Sequence, residues 1–236
     1  MQTVWIVFGE LLILLLLANR ITNTFYTLFS LLLRNKHAAM AVITLIYLPG
    51  TVIHELAHLL TAEILRVPTG ELTFTPKLEK GADGRNEVRA GSLQIGTVDP
   101  IRLYLIGFAP VIFGLFFVSL IIWIFTQYWS QMITLGEQIL FISLIGYLLF
   151  AVSNTMFSSK KDLEGFLIFV PIFLAIALTL YVTGFRLTLT GQALVLTQQV
   201  LTNLAKALGI VVGINLTMLM VNLLFLRGLL KLFHFE

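Results

Sequence analysis

Three residues of the chain have the types and spacing of a metal-dependent hydrolase. His54, Glu55 and His58 form an HExxH pattern inside a long apolar stretch. On an α-helix, residues four positions apart lie on one face, so both imidazoles can reach one metal ion while the glutamate faces a metal-bound water. Four His and 12 Asp and Glu among 236 residues would produce about 0.003 such motifs in random order. The spacing therefore predicts a bound Zn²⁺, the alternative being interhelical hydrogen bonds without a metal.

A hydrolytic zinc site needs a third protein ligand and an open position. The chain contains no Cys, so this ligand must be a histidine or a carboxylate. Asp162 and Glu164 are the main candidates, in a polar segment that follows a later apolar stretch. Glu137 and Glu10 are weaker, because the first falls at the opposite membrane face and the second has no motif around it. We expect His37 to lie in a loop and His234 in the terminal tail.

The elements that carry these residues are predicted to be transmembrane helices. Hydrophobic residues make up 58% of the chain and charged residues 11%, and the mean hydropathy is +0.96, whereas soluble domains carry roughly 25% charged residues. This composition excludes a soluble globular protein. A net charge of +3 without a basic-aromatic module also argues against a nucleic-acid partner.

Six apolar stretches are each long enough to cross a hydrocarbon core of about 30 Å. They predict one all-α polytopic membrane domain covering residues 1–236, surrounded by the lipid bilayer. The first stretch has no preceding basic residue and no small-residue cleavage site, so we expect a retained helix rather than a signal peptide. The predicted spans are residues 3–18, 38–65, 101–125, 138–157, 166–185 and 207–226.

The polar segment between the second and third spans is predicted to be a small cytoplasmic β-hairpin insertion, at about residues 67–100. It has alternating flanks and a Gly-Ala-Asp-Gly tip at residues 81–84. With six spans, ten basic residues fall on the side of this insertion and five on the other. The positive-inside rule then predicts that both termini are cytoplasmic.

The ordered combination of motifs resembles the site-2 proteases, the M50 family of intramembrane zinc metalloproteases. The resemblance covers most of the chain. It includes HExxH on the second span, a following hairpin, the third-span sequence FAPVIFG at residues 108–114, and Asn154 eight residues before Asp162. The family pattern Asn-x-x-Pro-x-x-x-x-Asp-Gly is altered here, since Phe157 replaces its proline and Leu163 its final glycine. Together with Ala57, where many members have glycine, these departures indicate a divergent M50B-like minimal core.

The resemblance implies a zinc metalloendopeptidase in a prokaryotic cytoplasmic membrane. His54, His58 and Asp162 would bind Zn²⁺, with Glu164 as the alternative third ligand. Glu55 would act as general base, and Asn154 would orient the substrate or stabilise the oxyanion, unless it makes only an interhelical hydrogen bond. The substrate would be a transmembrane segment of another protein, unwound locally and held by an edge strand of the hairpin at residues 71–98; a solvated connector is the alternative for that segment.

Other functions remain open. A catalytically inactive M50-like binding or chaperone protein would retain the fold, although metal binding alone would not require Glu55. A zinc transporter would be expected to show ligands on several spans or a His-rich loop, and the sequence has neither. A membrane zinc protease of another class, with a downstream glutamate as third ligand, fits the spacing of Asn154 and Asp162 less well. On the last span, Asn215 and Asn222 are expected to make an interhelical contact and Gly209-x-x-x-Gly213 to allow close helix packing.

Overall fold

The chain folds into a bundle of long helices with a small antiparallel β segment. The computed structural model describes residues 2–73, 77–80, 86–89, 92–96, 98–157, 168, 171–172, 174–176, 178–180, 182–184 and 190–232. Among these residues, five helices are long and apolar enough to cross a membrane. They are α1 (Gln2–Leu33), α2 (Lys36–Ile64), α3 (Pro100–Tyr128), α4 (Leu135–Thr155) and α5 (Gly191–Leu232).

Side-chain caps define where the middle helices begin. Asn35 Oδ1 accepts hydrogen bonds from the first amides of α2, and Asp99 accepts one from the Arg102 amide at the beginning of α3. Thr134 and Glu137 form a capping box at the beginning of α4. Such side chains replace the partners that the first helical amides lack. The short polar sequences between the apolar stretches thus set the helix boundaries.

The segment between α2 and α3 contains two antiparallel strand pairs. In the pair next to the helices in the sequence, Thr73 lies opposite Ser92. In the pair nearer the middle of the segment, Lys80 lies opposite Asn86. The Gly96 amide donates to the Pro68 carbonyl at 2.9 Å, which brings the two ends of the segment together. The paired strands are β1 (Thr69–Thr73) with β4 (Ser92–Ile95) and β2 (Lys77–Lys80) with β3 (Asn86–Arg89).

Helices α1 and α5 run side by side in the same direction. Glu10 on α1 lies against Gly209 on α5, and farther along both helices Thr24 lies near Leu223. Gln2 and Leu232 therefore lie at opposite ends of the bundle. This arrangement does not confirm the prediction that both termini lie on one side.

The described helices include five of the six predicted spans. The remaining one, residues 166–185, falls largely outside the described residues; helical backbone is described there only at residues 168, 171–172, 174–176, 178–180 and 182. Apolar side chains cover the outside of the bundle, including Leu16, Phe116 and Phe225, each more than 60% exposed. A surface of this kind fits a lipid bilayer, so the fold is that of a helical, membrane-embedded protein.

Candidate metal centre

The two histidines of the HExxH motif point their Nε2 atoms at one place. These atoms are 3.1 Å apart, and the rings are nearly perpendicular with centroids 4.7 Å apart. Two nitrogen ligands 2.0–2.1 Å from a tetrahedral zinc would be separated by about 3.3 Å. The observed spacing of His54 and His58 therefore fits two zinc ligands with little adjustment.

The orientation of His58 is fixed from its other ring nitrogen. Its Nδ1 lies 2.9 Å from the backbone carbonyl oxygen of Ile106, near the beginning of α3. With the proton on Nδ1, this nitrogen donates to the carbonyl, and the Nε2 lone pair is directed at the place shared with His54. Metal-binding histidines commonly have such a partner, which selects the tautomer and holds the ring.

The beginning of α3 is held against the end of α2 by a small apolar cluster. Ala62, Val67 and Ile106 are buried together, and the Arg102 guanidinium donates to the Leu65 carbonyl at 3.4 Å. This junction sets the height of the Ile106 carbonyl relative to His58, so the packing of α3 on α2 orients the His58 side chain.

All three motif side chains are buried within the membrane-embedded bundle. His54 and Glu55 are each 3% exposed and His58 is 7% exposed. A charged group at the centre of a bilayer costs about 2.5–3.5 kcal/mol on insertion scales, so such residues are retained where they have a function or a compensating partner. A cation held by the histidines would compensate the carboxylate of Glu55.

Close packing of α4 against α2 lies one turn before the histidines. A Cβ at Gly50 would collide with the Ala151 carbonyl and the Thr155 hydroxyl, so only glycine allows this approach. Pro49 precedes it within the helix. The Pro49-Gly50 pair thus brings the end of α4, at Ala151 and Thr155, against α2 one turn before His54.

Asn154 is 6% exposed and joins α4 to α5. Its Nδ2 donates to the Phe150 carbonyl at 2.8 Å and to Asn215 Oδ1, while Asn215 Nδ2 donates to Ser153 Oγ at 2.9 Å. The interhelical contact expected of Asn215 therefore forms with Asn154. The amide hydrogens of Asn154 are engaged, so any contact with substrate would use its Oδ1 or exchange one of these bonds.

Two buried oxygen atoms in this region have no hydrogen-bond partner within the described part of the chain, Thr51 Oγ1 and Asn154 Oδ1. Thr51 lies three, four and seven residues before the motif side chains and so shares their helix face. Sequence reasoning missed this residue, although a hydroxyl at that spacing was visible. Buried oxygens without partners are costly in a membrane, and water or a polar ligand would satisfy them.

The third zinc ligand stays a prediction. Asp162 and Glu164 lie outside the described residues, and within the described ranges no group of three His, Cys, Asp or Glu side chains is arranged to hold a metal. Glu137 caps α4 at the end of the bundle away from the histidines, and Glu10 lies against Gly209 on α5.

The other two histidines are far from this pair in the sequence. His37 is exposed at the beginning of α2, where its amide is capped by Asn35, and His234 lies outside the described residues.

Comparisons of the chain with protein-family models, with curated proteins and with solved structures found no match.

Proposed function

We propose that the protein is an intramembrane zinc metalloprotease that hydrolyses a peptide bond in or near a transmembrane segment of another protein. The observation that carries this proposal is the convergence of the His54 and His58 Nε2 atoms, 3.1 Å apart and buried within a membrane bundle. The adjacent Glu55 supplies the carboxylate that a hydrolase needs and that simple metal storage does not.

The residues present fit a zinc ion. His54 and His58 would bind it through Nε2, and Asp162 or Glu164 would complete the protein ligands. When bound, zinc would supply Lewis acidity toward water and the scissile carbonyl. The hydrogen bond from His58 Nδ1 to the Ile106 carbonyl at 2.9 Å keeps the Nε2 lone pair available for this purpose.

In this proposal Glu55 moves the protons of the reaction. Its carboxylate accepts a proton from water as the water oxygen bonds to the substrate carbonyl carbon. The same group then delivers that proton to the amide nitrogen as the carbon–nitrogen bond breaks, which releases an amine and a carboxylic acid. Burial of Glu55 at 3% exposure excludes bulk water from the transfer.

The substrate would enter as an extended backbone, because carbonyls within a transmembrane helix are already hydrogen bonded. Strands β1 and β4 form a two-stranded pair within the described residues, so each presents a second edge that can pair with an incoming strand. The Gly96–Pro68 hydrogen bond places the base of this pair at the end of α2, just beyond the histidines.

We further propose that this end of the bundle faces the cytoplasm. The segment between α2 and α3 contains five of the 15 basic residues of the chain, and residues 129–134 between α3 and α4 contain none. Basic residues are enriched in cytoplasmic loops. The amino terminus of α1 then lies on the cytoplasmic side and the end of α5 on the opposite side.

Reconstitution of the zinc-loaded protein with a panel of single-span substrates tests the function. Wild type should cleave at least one substrate, and Glu55→Gln should reduce the rate by about 10²–10⁴-fold while retaining the metal. Glu63→Gln, which changes an exposed glutamate on the same helix, is the matched control. Cleavage that survives in Glu55→Gln would contradict the proposal, and metal binding without cleavage of any substrate would favour the inactive, chaperone-like alternative.

A further inference from the structure

A second polar region lies between α1 and α5, away from the HExxH motif. It is a groove with a volume of about 400 Å³, called the α1–α5 groove below. Its α1 side is a stripe of polar residues spaced three or four apart, and its α5 side is apolar. The lining residues are Arg20, Asn23, Thr24, Thr27, Leu223 and Leu226.

Arg20 lies far from both ends of α1. The Thr22 hydroxyl, two residues later, is 3.4 Å from the Tyr47 hydroxyl, and Tyr47 is eleven residues after Lys36, the first residue of α2. At 1.5 Å per residue, Arg20 is about 20 Å from the Leu33 end of α1. The Leu33 end of α1 adjoins the Lys36 end of α2. Helix α2 is about 43 Å long, so a hydrocarbon core of about 30 Å centred on it would begin only about 7 Å from its Lys36 end. With the core placed in this way, Arg20 lies well inside it.

The charge of Arg20 is not compensated within the described part of the chain. Its side chain is exposed, and no described carboxylate lies within ion-pair distance of its guanidinium. Glu10, the single acidic residue of α1, is ten residues away, or about 15 Å along the helix. Ionisable residues inside a membrane are expected to pair, so this exposed guanidinium indicates a binding site for an anion.

The other polar residues of the groove are arranged around that charge. The hydroxyls of Thr24 and Thr27 donate to the carbonyls of Arg20 and Asn23 at 2.7 and 2.9 Å, so each threonine needs no further partner for its hydrogen. Next to Leu223, the buried amide of Asn222 has no hydrogen-bond partner among the described residues. The groove thus presents one cation that has no carboxylate partner in the described part of the chain, between two lipid-facing helices.

We propose that the α1–α5 groove binds a transmembrane helix of a partner protein through an aspartate or glutamate at the middle of that helix. The depth of Arg20 in the membrane decides whether its anionic partner is a phospholipid phosphate or a protein carboxylate. Phospholipid phosphates lie outside the hydrocarbon core, whereas Arg20 lies well within it, so the complementary charge belongs on a transmembrane segment. The apolar Leu223 and Leu226 contact the body of that helix, and the guanidinium pairs with its carboxylate.

Model helices reconstituted with the full chain in phosphatidylcholine vesicles test this proposal. The probes are Leu/Ala helices of about 22 residues with one glutamate or one glutamine at the centre, and binding is followed by energy transfer from a label on the peptide to one on the protein at mildly alkaline pH. The glutamate peptide should bind wild type about tenfold more tightly than the glutamine peptide. Arg20→Gln should remove this preference, and Arg20→Glu should transfer it to a peptide with a central lysine.

Arg34→Gln, which changes an exposed arginine just beyond α1, is the matched control and should keep the wild-type preference. Equal binding of the glutamate and glutamine peptides to wild type would overturn the proposal. So would an unchanged preference in Arg20→Gln. Loss of the preference when phosphatidylglycerol is added would assign the groove to a lipid phosphate instead, and this result would overturn it too.

Discussion

The HExxH region and the α1–α5 groove accommodate ionisable side chains in opposite ways. Both place ionisable side chains within an apolar bundle. In the first, the side chains are buried and His58 is held by the Ile106 carbonyl at 2.9 Å. In the second, Arg20 is exposed at the outer surface and has no described carboxylate partner. A buried, oriented cluster is suited to chemistry on a small group, whereas an exposed charge in a groove is suited to another macromolecule.

Helix packing at glycine residues also differs between the two regions. Around the histidines, glycine and threonine allow the backbones of α2 and α4 to touch. Along α1 and α5 the closest glycine contact is between Gly209 and the Glu10 carboxyl oxygen, 3.2 Å from an added Cβ, and Gly213 has no neighbour within 4 Å. The close helix approach expected at both Gly209 and Gly213 is therefore seen only at Gly209. A close backbone contact at a glycine thus distinguishes the packing of α2 on α4 from that of α1 on α5.

The largest predicted effect concerns the proposed third zinc ligand, which would complete the site at the HExxH histidines. Asp162→Asn should weaken zinc binding by about two orders of magnitude or more, because a neutral amide replaces an anionic ligand. Glu164→Gln should leave binding unchanged if Asp162 is the ligand, and Glu10→Gln should do so as well. Zinc affinity measured by competition with a chromophoric chelator checks this. Full occupancy in Asp162→Asn combined with loss in Glu164→Gln would exchange the two assignments.

A smaller effect distinguishes the packing of the two regions. Gly50→Ala should destabilise the protein by about 2–3 kcal/mol, since the new methyl group meets the Ala151 backbone. Gly209→Ala should cost less than about 1 kcal/mol, because the Glu10 side chain can move aside. Gly146→Ala, where nothing lies within 4 Å, is the control.

These differences are checked by the midpoint of thermal unfolding in detergent. Equal midpoints for Gly50→Ala and Gly146→Ala would show that the contact between α2 and α4 is looser than described. A loss in Gly209→Ala as large as that in Gly50→Ala would remove the distinction between the two regions.

The smallest predicted effect concerns two asparagines of α5. Asn215→Leu removes the hydrogen bonds to Ser153 and Asn154 and should cost about 1–2 kcal/mol. Asn222→Leu removes a buried amide whose atoms have no described partner and should be neutral or stabilising. The same thermal measurement applies. A stabilising Asn215→Leu would mean that the polar contact between α4 and α5 does not contribute to folding.

Much of the fold could be predicted from the sequence because membrane helices are strongly patterned. Five apolar stretches coincide with described helices, and the HExxH spacing places both histidines on one face of α2. Which helices adjoin and in which direction they run was less accessible. Counting crossings predicted that both termini lie on one side, and the parallel course of α1 and α5 does not confirm this.

Contacts made by backbone atoms were also invisible in the sequence. Any residue at position 106 has a carbonyl, so nothing about Ile106 indicated that it would hold His58. The pairing of Asn154 with Asn215 joins residues 61 positions apart. The positions of Asp162 and Glu164 relative to the histidines stay predictions, as do the zinc ion and the protease activity.

Zinc stoichiometry tests the central claim most directly. Wild type purified with zinc should contain about one equivalent per chain, and His54→Ala and His58→Ala should each contain almost none, because the loss of either ligand leaves an incomplete site. His37→Ala changes an exposed histidine on the same helix and should retain the full equivalent. A wild type without zinc, or variants of His54 and His58 that hold as much zinc as His37→Ala, would contradict the assignment of the HExxH region as a metal centre.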